Sequence, residues 1–126
     1  MSSGFQVLST TRGEKKFRLQ FTAGTSGAVP STFTRARGIA SVVKSTNDYI
    51  ITMSKGYTAV LDCDAKVLQA SSSTTGAWEA KMTAEDVATN KTITISPYTA
   101  AGSAVALASG DVLRVTFSLK TSPGLA

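Results

Sequence analysis

Apolar residues recur at every second position along much of this chain, and that period constrains its fold more than any other feature. In "KFRLQF", Phe17, Leu19 and Phe21 fall on one side and Lys16, Arg18 and Gln20 on the other, as the two faces of a half-buried strand require. "DVLRVTFSLK" repeats the pattern, with Leu113, Val115, Phe117 and Leu119 inward and Arg114, Thr116 and Ser118 outward. "KTITISPY" does so with Ile93 and Ile95, and its Pro97 suits an edge or a strand exit. "GIASVVK" and "DYIITM" are β-branched runs separated by the turn-rich "STND", which predicts an antiparallel hairpin. "SKGY" supplies a turn, and "TAVLD" and "KVLQA" read as two further short strands. "AWEAKM" adds another, with Trp78, Ala80 and Met82 facing inward. A buried Trp78 would cost about 3–5 kcal/mol to truncate. No stretch holds the i, i+3, i+4, i+7 apolar spacing of a substantial helix. Only "TAEDVA", opening at Thr83, reads as a single capped helical turn. The chain is therefore all-β: an antiparallel β-sandwich or jelly roll of about eight short strands in one domain over residues 1–126.

Composition argues against most enzyme chemistry. With no histidine in the sequence, the Ser-His and Cys-His nucleophile pairs are excluded. Cys63, the only cysteine, can form no intrachain disulfide and implies no oxidising compartment. It lies between Asp62 and Asp64, whose charges raise a thiol pKa rather than activate it. On a strand it would share a face with Ala59 and Leu61, as a buried structural thiol. Asp62 and Asp64 share the opposite face, but no Ca²⁺-loop spacing surrounds them. One Cys and no His argue against zinc. "GTSGAVPST" lacks the lysine of a phosphate-binding loop. No metal and no cofactor is expected, and the chain is read as non-enzymatic.

Charge is the second strong signal. Of the net +5, the stretch 1–44 carries Arg12, Lys15, Lys16, Arg18, Arg35, Arg37 and Lys44 against Glu14 alone. Such asymmetry points to an acidic partner. Two segments read as flexible: an extended N-terminal arm over residues 1–16, and the Gly/Ser/Thr loop from Thr22 to Thr32, which leads into the Arg35–Arg37 pair. Nucleic acid is the less favoured partner. Single-strand platforms interleave rings with cations, whereas alternation in "KKFRLQF" is read as setting Phe17 and Phe21 on the face opposite the cations Lys15, Lys16 and Arg18. A sugar-stacking face built on Trp78 is disfavoured by its inward phase. The first residues lack a basic, then apolar, leader. No apolar run approaches the ~18 residues of a membrane span.

The order "VPSTFTRARGIASVV", "DYIITMSKGYTAVLDCDAKVLQA", "GDVLRVTFSLKTSP" resembles small structural proteins of tailed bacteriophages, most of all capsid decoration (cement) proteins. These are short, poor in His and Cys, rich in Ser, Thr, Ala and Gly, and all-β. The resemblance implies a virion protein, made in the host cytoplasm, that sits on the outer capsid surface and bridges or stabilises major-capsid subunits. Head-fibre, tail and baseplate components share the same style. It further implies an acidic surface of the major capsid protein as partner. Arg12, Lys15, Lys16, Arg35 and Arg37 would then form the docking face, the arginines meeting carboxylates with paired hydrogen bonds. A homodimer or homotrimer is expected, because small β-proteins often cover an edge strand with a neighbour.

Overall fold

The alternation is realised as strands in a computed structural model, which describes residues 10–11, 13–35 and 37–121. In chain order these are β1 (Thr10–Thr11), β2 (Glu14–Thr22), β3 (Thr34–Arg35), β4 (Ile39–Ser45), β5 (Asp48–Met53), β6 (Ala59–Leu68), β7 (Glu79–Asp86), β8 (Thr92–Tyr98) and β9 (Val112–Lys120). One antiparallel sheet has the order β1-β2-β9-β6, with β3 also paired to β2. The other has the order β4-β5-β8-β7. The fold is all-β, two antiparallel sheets forming a β-sandwich, one of the architectures expected from the period-2 pattern.

The inward residues of β2 and β9 meet those of β5 and β8 in one core. Leu19, Phe117, Ile51, Ile93 and Ile95 are all buried there. Phe17 stacks on Phe117 with centroids 5.3 Å apart, and Phe21 leans on Tyr49 at 5.6 Å. Each such side chain contributes about 1.5–3 kcal/mol on leaving water. The β4–β5 hairpin forms as expected, Ser45 opposite Asp48.

Several expectations are corrected. "TAVLD" and "KVLQA" make one strand, because β9 lies opposite both, from Ala59↔Lys120 to Leu68↔Val112. A register shift between Val60 and Asp62 turns Leu61 outward, 51% exposed. Cys63 therefore does not share a buried face with it. Thr83 to Asp86 continue β7 instead of forming a helical turn. Pairing with β8 outweighs the local helix signal: Glu85 lies opposite Ile93 and Asp86 opposite Thr92. Asp86 instead organises the following turn, accepting hydrogen bonds from the Thr89 N–H (3.3 Å) and from Asn90 Nδ2 (2.6 Å).

Trp78 is 48% exposed, not core. Its N–H donates to the Tyr98 carbonyl at 2.7 Å, while Glu79 is the register partner of Tyr98. Two residues opposite one shift the side-chain phase, as at a β-bulge. Ala77 and Ala80 are buried, and the two residues between them face out.

The Thr22–Thr32 loop is anchored rather than free. It makes a 3-10 turn at Thr25–Gly27, and the Tyr49 hydroxyl donates to the Gly27 carbonyl at 2.7 Å. That hydroxyl also accepts the Leu107 N–H at 3.3 Å. Gly27 has φ +79°, and a Cβ there would lie 2.5 Å from the Leu107 carbonyl oxygen. Only glycine fits. Of the proposed arm, Thr10–Thr11 pair with β2 and Glu14 to Lys16 begin β2 itself. The rest of 1–16, apart from Gly13, lies outside the described residues.

Candidate functional site: a cationic end of the sandwich

Three segments converge at one end of the sandwich. Lys15 and Lys16 stand at the start of β2, Arg37 in the turn before β4, and Lys55 in the loop after β5. Together with Phe17, Gly38, Ser54 and Tyr57 they line a depression of about 330 Å³. The β4–β5 pairing brings the last two cations together: Ile39 lies opposite Met53, and the Ser54 N–H donates to the Gly38 carbonyl at 2.8 Å. Arg37 and Lys55 flank those contacts. Gly38, at φ +103°, passes over the Phe17 ring, where a Cβ would come within 3.0 Å of Cε2.

The floor of the depression is apolar and the rim charged. Phe17 and Tyr57 meet edge to face at 5.6 Å, and both are buried. Lys55 Nζ lies 5.6 Å from the centre of the Tyr57 ring, within cation–π range. Burial raises the Tyr57 pKa above its ordinary value. Among the described residues the one ion pair within 4.0 Å joins Lys81 to Glu79. The four rim cations therefore face solvent with no carboxylate in contact among those residues.

Lys15, Lys16 and Arg37, three of the five expected docking residues, are thus brought together. Arg12 lies outside the described residues. Arg35 goes elsewhere. It is opposite Leu19 in the β2–β3 pair, and its Nη1 donates to the Ala40 carbonyl of β4 at 3.1 Å. Its guanidinium also sits 5.5 Å from the Phe33 ring, which packs edge-on against Phe21 at 5.8 Å. Arg35 ties the edge of one sheet to the edge of the other. The two arginines of "TRARG" therefore part company.

Lys55 was not among the expected residues, although the hairpin reading contained the signal. Once "GIASVV" pairs with "DYIITM", the residues flanking the open end of the hairpin must be neighbours. Lys15 also departs from the expected separation of rings and cations. It shares the parity of Phe17 and lies opposite the buried Leu119, yet is itself exposed.

The remaining chemistry is sparse. Cys63 is half-buried, packed at the margin of the core in a groove between β6 and β7. Burial, then Asp62 and Asp64, push its thiol pKa up to about 11, which leaves it protonated at neutral pH and a poor nucleophile. Among the described residues no three His, Cys, Asp or Glu side chains gather as a metal site. No described helix is long and apolar enough to cross a membrane. Comparison with protein-family models, characterised proteins and solved structures finds no match to this chain.

Proposed function

We propose that this chain is a non-enzymatic structural protein of a tailed-phage virion, a capsid decoration protein that docks through the cationic end of its sandwich onto an acidic surface of the major capsid protein. The observation that carries the docking half is the convergence of Lys15, Lys16, Arg37 and Lys55 on one depression, with no carboxylate in contact among the described residues. Unpaired cations of one sign around a concave surface raise the local potential and steer an acidic partner. The virion half rests on the resemblance in sequence style. A sandwich whose loop is anchored by Tyr49 and whose edge is tied by Arg35 suits a rigid part of a shell. In this reading the protein resides on the outer capsid face and needs no cofactor.

Alanine at Lys15, Lys16, Arg37 and Lys55 separates the functional readings. Binding of the purified quadruple variant to phage heads lacking this protein should fall by at least about tenfold, with a shallower dependence on salt. Arg35→Ala should lower stability and leave docking affinity within about twofold. Unchanged affinity in the quadruple variant would overturn the docking surface. Binding to single-stranded DNA that collapses with salt, with no retention on heads, would instead favour a nucleic-acid partner.

A further inference from the structure

Among the described residues no strand hydrogen-bonds to the outer edge of β6, which β7 flanks across the groove that holds Cys63. Among those residues β6 ends its sheet with β9 as its one ladder partner, and ten residues run from Ala59 to Leu68 along that edge. Long exposed edges of this kind are templates for strand addition. Two of the four exposed large apolar side chains among the described residues also lie on this strand: Leu61 at 51% and Leu68 at 44% exposure.

We infer that β6 pairs antiparallel with β6 of a second copy about a two-fold axis at Ala65, joining two sandwiches through one continuous sheet. The charge pattern selects both partner and register. Residues directly opposite in an antiparallel pair point to the same face, and like charges there are destabilising. With the axis at Ala65, Asp64 lies opposite Lys66 of the second copy, and Lys66 opposite its Asp64. Moving the axis to Asp64 or to Lys66 sets each of those residues against itself. Moving it to Cys63 sets Asp62 against Asp64. An axis at Asp64 also sets Asp62 against Lys66, but with Asp64 against itself; among these four positions Ala65 alone gives opposite-charge pairs with no like-charge pair.

The charges within one copy favour the same arrangement. Lys66 lies opposite Arg114 of β9, a like-charge neighbour, while Arg114 Nε donates to Gln20 Oε1 at 2.9 Å. Neither Asp64 nor Lys66 has an oppositely charged side chain within 4.0 Å among the described residues. An Asp64 from the second copy answers the first imbalance, and a Lys66 the second. The irregularity at Leu61 bounds the ladder at one end, and a two-fold contact closes on itself. The proposal uses a different surface from the cationic end and stands or falls separately from it.

Sedimentation equilibrium of the full chain over micromolar concentrations tests this. The wild type should form a concentration-dependent dimer. Lys66→Asp and Asp64→Lys should each raise the dimer dissociation constant about tenfold. The double swap D64K/K66D, which restores opposite charges across the axis, should recover it to within about threefold. Both positions are exposed, and far-ultraviolet circular dichroism checks that each variant keeps its strands. A wild type that stays monomeric would overturn the proposal and leave the edge to a strand from another protein. A dimer indifferent to the single changes, or a double swap as weak as either single, would overturn the register.

Discussion

Tyr49 and Cys63 show how single side chains answer to their surroundings in this protein. Tyr49 is buried in the core and spends its hydroxyl on two backbone groups of other segments, the Gly27 carbonyl and the Leu107 N–H. Tyr49→Phe keeps the ring but orphans both, so it should cost about 1–3 kcal/mol in urea unfolding. A loss under about 0.3 kcal/mol would mean that the Thr22–Thr32 loop is held by other contacts. Cys63 carries a pH prediction. Its pKa in the fold, about 11, stands above an ordinary thiol's value near 9. Its contribution is therefore complete below pH 9 and is lost as pH rises toward 11, because the unfolded chain gives up the proton first. Tyr49 and Tyr57, both raised by burial, act in the same direction above pH 10. Unfolding free energy measured from pH 8 to pH 11 should fall, and Cys63→Ser should flatten the early part of that fall. An equal slope in the variant would show that the thiol is not responsible.

At the scale of elements, the core-facing residues of β2, β8 and β9 were legible, because alternation leaves one choice of core face, although Ser96 and Ser118, in the outward phase, are buried as well. Reading failed where an irregularity shifts that phase. The register shifts at Val60/Asp62 and Met82/Ala84, and the two residues opposite Tyr98, carry no signature in residue type. They turned Leu61 and Trp78 outward against expectation. The apparent helix at Thr83 failed for another reason: a local cap signal is weaker than pairing with an established neighbour. Trp78→Ala is the direct check on this account. With nearly half its surface already in water, it should lower stability by about 1 kcal/mol or less. A loss of about 3–5 kcal/mol would return the indole to the core. The candidate site was half legible. Lys15, Lys16 and Arg37 were visible as charge, but their grouping with Lys55, and the separation of Arg35, depend on which strands are neighbours.

For the whole molecule, the sandwich provides two independent surfaces. One is the cationic end assigned to an acidic partner, and the other is the β6 edge assigned to a second copy. A shell protein uses both kinds of contact, since docking fixes it to the lattice and self-association links neighbouring sites. The two also differ physically. Docking by exposed cations weakens with salt, whereas a strand ladder depends on backbone hydrogen bonds and is much less affected. The central claim is that this chain belongs to the outside of a virion in many copies, and the measurement that bears on it most directly is stoichiometry. On the proposed reading, quantitative mass spectrometry of purified particles of a parent phage should give a fixed, high ratio of this protein to the major capsid protein. A handful of copies per particle would place it in the tail, portal or fibres, and its absence from particles would contradict the account.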